Sequence, residues 1–142
     1  DYRVYALMGD GEIEEGEIWE AAMAIHKYKL DNLCGIIDVN GLQIDGATAD
    51  VMPSEPLDAK FAAFGWHVIK ADGHDFESLR AAFREAAETK GVPSMILART
   101  TKGKGVSFME NNAGWHGKAP NAEQYETARA ELLSAIKELE AE

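Results

Sequence analysis

Cysteine is nearly missing from this chain. Cys34 is the only one among 142 residues, which excludes an internal disulfide and makes a reducing cytoplasm the simplest compartment. It stands in the middle of an apolar run and reads as a small buried residue rather than a reactive thiol. The four histidines, at 26, 67, 74 and 116, match no zinc-ligand spacing. No apolar stretch approaches the length of a membrane span, and no segment reads as a signal peptide. Basic residues are scarce as well. Fourteen lysines and arginines against 25 acids leave a net charge of −11, which argues against non-specific binding to nucleic acid or an anionic membrane. A small anionic ligand is not excluded, because a divalent cation and backbone N–H groups neutralise charge locally.

What the chain does contain is concentrated between residues 4 and 42. Residues 4–8 are short, apolar and stopped by glycine, the pattern of a buried strand in a parallel sheet. Over residues 16–28, Ile18, Ala21, Ala22 and Ile25 recur three and four apart and share one face of a helix. Residues 33–39, apolar except for Asp38, form the next strand. Strand, helix and strand make one crossover unit, and such units place ligands beyond the carboxyl ends of their strands. Asp10 and Asn40 both stand at such ends. A hard carboxylate oxygen and an amide oxygen would then face one crevice, a donor set that suits magnesium with its shell completed by phosphate and water. Gly9 and Gly11 flank Asp10 and let a phosphate approach the backbone, and the N–H groups of the following helix would point the same way.

A lone Gly-Asp-Gly is an ordinary turn. Here it follows a strand, opens a helix, and is answered by Asn40 one crossover later. With that pairing the chain resembles the thiamine diphosphate enzymes, and among them it is most similar to transketolase. Further blocks carry the resemblance in order: the acid-rich run 12–22, Asp38-Val39-Asn40, Ile44-Asp45-Gly46-Ala47-Thr48, Phe64-Gly65-Trp66, Asp72-Gly73-His74-Asp75, the 100–105 loop, and Trp115-His116-Gly117-Lys118-Ala119-Pro120. The last block is similar to the form of transketolase made as two subunits.

The resemblance implies roles for individual residues. Asp10, Asn40 and the Leu42 backbone carbonyl would hold Mg2+. Gly9, Gly11, Asn40, Ile44 and His116 would contact thiamine diphosphate, His116 reaching the diphosphate and the substrate side, although core packing explains Ile44 nearly as well. Glu15 and Glu20 would join an acidic hydrogen-bonded chain between two active sites at a subunit interface. The resemblance also implies a dimer or higher oligomer, sugar phosphate substrates, and a partner domain or subunit that binds the aminopyrimidine ring and activates the cofactor. No such domain is visible here. A strand with almost no chain before it, and no initiating methionine, suggests a fragment or a parent protein that has lost half its site, since the family carries a long upstream segment.

The rest of the chain reads simply. Glu12, Glu14, Glu15 and Glu17 complement the dipole at a helix start. Gly16 inside that start costs about 1 kcal/mol against alanine, which suggests close packing against another chain. Residues 40–57 should be loop. A short helix over 56–64 would bury Leu57, Phe61 and Phe64, and a third strand would follow over 66–71. Asp75 should cap a helix whose buried stripe is Phe76, Leu79, Ala82, Phe83 and Ala86. His74 reads as a solvated turn residue, His26 and His67 as packing or surface. A fourth strand occupies 94–98, and Lys102 and Lys104 beyond it could serve an anion or stay solvated. Asn121 and Gln124 make a capping box for a last helix with Tyr125, Ala128, Leu132, Ile136 and Leu139 on one side, expected to cover the sheet.

The fold expected is therefore α/β: a mostly parallel sheet of about four strands with helices on both faces, in a single, partial thiamine diphosphate-binding domain over 1–142. The function expected is the diphosphate-binding part of a transketolase. A deoxyxylulose phosphate synthase or 2-oxo acid dehydrogenase subunit would keep the cofactor and change the reaction. A non-catalytic interaction domain would keep only the fold.

Overall fold

The computed structural model describes residues 2–141. Strand β1, Val4–Gly9, runs through a 3-10 turn at Glu12–Glu14 into helix α1, Gly16–Lys27, and back into β2, Leu33–Val39. A small antiparallel ribbon follows, β3 at Leu42–Gln43 and β4 at Gly46–Ala47, then the single-turn helix α2, Thr48–Val51, and α3, Leu57–Ala63. Strand β5, His67–Asp72, helix α4, Phe76–Glu88, strand β6, Ser94–Arg99, and the terminal helix α5, Ala122–Leu139, complete the order.

The four long strands form one sheet in the order β1-β2-β6-β5, every neighbouring pair parallel. Side chains alternate across it as the two-residue period requires. Ile37, Val39, Met95 and Leu97 meet Ala22 of α1 and Leu57 and Phe61 of α3 on one face. Cys34, Ile69, Ala71, Ile96 and Ala98 meet Ala82 and Ala86 of α4 on the other. Trp19 stacks on Phe61 at 5.1 Å between ring centres, and the Trp66 indole N–H donates to the Ala22 carbonyl at 3.0 Å. Helices thus cover both faces. Register then aligns the carboxyl ends: Gly9 lies opposite Asp38, and Arg99 lies opposite both Val39 and Asp72. The residues that follow those strands, Asp10, Asn40, Thr100 and Gly73, emerge along one rim.

Four expectations are corrected. The first strand is not buried: β1 is a sheet edge, Leu7 is 71% exposed, and Val4 and Tyr5 are exposed too. An apolar run signals a strand, but its neighbours decide whether it is covered. The 40–57 segment is not all loop, because Thr48 N–H closes onto the Gly41 carbonyl at 3.0 Å and the ribbon and α2 fold around that contact. Phe76, at 78% exposure, drops out of the α4 stripe, since the first helical residue lies past the sheet rim. Helix α5 does not cover the sheet: none of its residues is buried, and Leu132, Ile136 and Leu139 are exposed. Both sheet faces are already taken by α1, α3 and α4. Its tether is the Glu131 carboxylate, which accepts the Ser107 N–H at 2.7 Å and the Ser107 hydroxyl at 2.6 Å.

The caps form as the residue types demand. Asp75 accepts the N–H groups of Glu77 and Ser78, and Asn121 and Gln124 complete the reciprocal box. At Gly16 an added Cβ would meet nothing in this chain, so no close approach by its own atoms explains that glycine.

Candidate functional site

Asp10 is the residue around which the rim is built. It follows β1 directly, is 2% exposed, and donates its N–H to the Asp38 carbonyl at 3.2 Å. Its Oδ2 accepts the Gly41 N–H at 2.5 Å. Its Oδ1 is buried with no partner among the described residues. A buried carboxylate oxygen without a donor is costly. Burial accordingly raises the Asp10 pKa above the ordinary carboxylate value; the Gly41 N–H pulls the other way, and the nearby Asp38 charge raises it further.

Asn40 follows β2 and turns its Oδ1 to accept the Leu42 N–H at 3.0 Å, which leaves a second lone pair on that oxygen. Gly41, between them, has φ +76, a left-handed conformation that glycine adopts without strain. Asp10, Asn40, Gly41, Thr48, Arg99 and Thr100 line a cavity of about 250 Å³, room for a hydrated ion. One unpartnered carboxylate oxygen and one amide oxygen on a single cavity are hard donors that fit a divalent cation.

The other expected residues are arranged less simply. The Gly9 N–H donates to Glu12 Oε2 at 3.1 Å. A Cβ at Gly11 would come within 2.9 Å of Gln43 Cβ, so this glycine is required by the ribbon's approach. The expectation that Gly11 opens a helix is corrected: the 3-10 turn intervenes and α1 starts at Gly16, because Glu15 adopts an extended backbone. Leu42 sits in β3 beside the cavity residues. Ile44 is 70% exposed at the ribbon tip, which removes core packing as its explanation. Glu15 and Glu20 are exposed on the start and body of α1, outside the cavity lining. His116, at the end of a 3-10 turn over Ala113–Trp115, is exposed and also outside that lining.

Three residues at the rim have roles that their sequence positions do not announce. The Thr100 hydroxyl donates to Asp38 Oδ1, and the Thr100 N–H donates to the Val39 carbonyl at 3.2 Å. His74 Nε2 accepts the Thr101 N–H at 2.7 Å, so it anchors the 100–105 loop rather than standing free in solvent. For Asp38 a signal existed: it is the one charge in an apolar strand. Nothing local marks Thr100, which reaches Asp38 only because β2 and β6 are neighbours. Lys104 pairs with Glu110 at 3.8 Å.

A parallel α/β sheet whose strand ends gather a buried, half-satisfied carboxylate, an amide oxygen and a glycine turn defines a domain that binds a cation together with an anionic ligand. Comparison with known proteins sharpens this. Residues 1–137 match the family model for the transketolase thiamine diphosphate binding domain; the chain belongs to that family. Over its whole length it is 50% identical to an apulose-4-phosphate transketolase subunit from Phocaeicola vulgatus, of which it covers 50%. It is 46% identical over 129 residues, 91% of the chain and 47% of the relative, to the 6-deoxy-6-sulfo-D-fructose transketolase subunit SqwG of a Clostridium species. Among solved structures, transketolase from Campylobacter jejuni superposes with a TM-score of 0.85 at 32% identity, over 92% of this chain and 20% of that one. The chain spans about half the length of the subunit-type relatives it matches.

Proposed function

We propose that this chain is the diphosphate-binding part of a transketolase and holds thiamine diphosphate through Mg2+. The observation that carries the reading is the buried, unpartnered Asp10 Oδ1. In this reading the side chains of Asp10 and Asn40 and the Leu42 carbonyl hold Mg2+, and burial ensures that the carboxylate meets the cation with little competition from water. Gly9 and Gly11 leave the backbone open to the diphosphate. Ile44 stands ready at the ribbon tip for the cofactor's ring system, and His116 turns toward the diphosphate and substrate once the assembly is complete. When bound, thiamine diphosphate supplies the nucleophilic carbon and electron sink for moving a two-carbon ketol unit between sugar phosphates.

Activity needs a pyrimidine-binding partner domain or subunit, and the domain over 1–142 is partial. The family membership and the subunit naming of its relatives support that arrangement. Glu15 and Glu20, exposed along α1, are free to face a partner in a dimer or higher oligomer. A cytoplasmic location accords with the lone buried cysteine.

Calorimetric titration of thiamine diphosphate, with and without Mg2+, tests the reading. Binding should require Mg2+ and disappear in Asp10→Ala. Equal binding without Mg2+, or in the variant, would overturn the site. Ketol transfer by the purified chain alone would overturn the need for a partner.

A further inference from the structure

Asp38 ends an otherwise apolar strand, half-buried, beside a second carboxylate. Its backbone carbonyl takes the Asp10 N–H, and the two charges sense each other, since Asp38 raises the Asp10 pKa. Among the described residues neither carboxylate is paired with a basic side chain; the nearby Arg99 guanidinium lies 3.6 Å from Glu55 instead. The Asp38 side chain is nevertheless held in place. Its Oδ1 accepts the Thr100 hydroxyl, and Thr100 is itself fixed from two sides. Its N–H bonds the Val39 carbonyl, and Gly73, whose N–H donates to the Arg99 carbonyl at 2.7 Å, packs so tightly that an added Cβ would collide with the Thr100 methyl. Two adjacent, unneutralised carboxylates, one with a buried oxygen lacking any donor, are unfavourable in the absence of a cation. A structure that also braces the second carboxylate keeps that charge directed at the site.

We propose that Asp38 is a positioning residue of the cation site: held by Thr100, its carboxylate adds a second negative charge beside Asp10 and strengthens divalent-cation binding without being a ligand. The inference rests on the reading that Asp10 and Asn40 take a divalent cation. Asp38→Asn is the informative variant, because the amide oxygen still accepts from Thr100 and only the charge is lost.

The test is Mn2+ titration followed by electron paramagnetic resonance on the full chain and on Asp38→Asn, with thermal unfolding of both in the absence of cation. Mn2+ affinity should fall about three- to tenfold, the size of one charge acting through a few ångströms of partly solvated protein. Tm without cation should be unchanged or higher, because repulsion with Asp10 is relieved. A merely structural aspartate would lower Tm. Unchanged affinity in the variant, or a lower Tm up to failure to fold, overturns this inference alone. A wild-type chain that binds no Mn2+ overturns the cation reading and this inference with it.

Discussion

Cys34 lies in the middle of β2 with its side chain packed under α4, and burial pushes its thiol pKa up to about 11, with Arg3 opposing. The folded chain therefore keeps that proton to higher pH than the unfolded chain does. Between about 9 and 11 the folded state binds more protons, so this group makes stability fall as pH rises through that window. Urea unfolding at pH 8 and pH 11 should show a loss of up to about 2–3 kcal/mol that is smaller in Cys34→Ala, and alkylation at pH 8 should be negligible until the chain unfolds. Gly73 offers a second residue-scale test. A Cβ there would lie 2.9 Å from the Arg99 carbonyl, a backbone atom that cannot step aside. Gly73→Ala should destabilise by about 1–3 kcal/mol and, by displacing Thr100, weaken cation binding as well; normal values of both would show that the 72–75 turn has slack.

At the scale of elements, α5 and β6 are opposites. All of β6 except Arg99 is buried, whereas α5 buries nothing and is secured at Ser107 by Glu131. The Ser107 hydroxyl and N–H depress the Glu131 pKa. A depressed carboxylate stabilises above its unfolded pKa and loses that contribution as pH falls through the folded value, so the tether should loosen in acid. Hydrogen exchange should be faster throughout α5 than in β2 and β6, and faster still in Glu131→Gln. Protection of α5 equal to that of β6 would mean that the helix is held by more than this contact. The capping box reads directly from Asn121 and Gln124 because it is local. The docking of the helix does not, because an amphipathic stripe says that a face seeks cover without saying what supplies it.

For the whole molecule, site and stability are linked through the same cavity. A ligand that binds only the folded chain stabilises it by about 2.7 kcal/mol at a hundred times its Kd. Thiamine diphosphate and Mg2+ together should raise Tm, each alone much less, since a chain of net charge −11 repels a diphosphate that arrives without its cation. A full shift with thiamine diphosphate in the presence of a chelator would contradict the shared site. The sheet order explains why the effect should be global: Asp10, Asn40 and Thr100 leave three adjacent strands, so a cation on the rim ties β1, β2 and β6 at their carboxyl ends.

Local chemistry determined a good deal by itself. Apolar runs stopped by glycine or a polar residue set β1, β2 and β6 to within a residue or so, helical spacing set α1 and α4, and cap residues set where α4 and α5 begin, because each depends on neighbours a few residues away. The pairing of Asp10 with Asn40 was legible for the same reason, since one parallel crossover suffices to bring two strand ends together. Tertiary structure alone decided the rest. It made β1 an edge, left α5 uncovered, turned Ile44 outward, and brought Thr100 and His74 to the rim through strand order. Above all it left Asp10 Oδ1 buried without a donor and set Asp38 beside it. Burial and unmet hydrogen bonding are properties of everything that surrounds an atom, and no stretch of sequence holds that information locally.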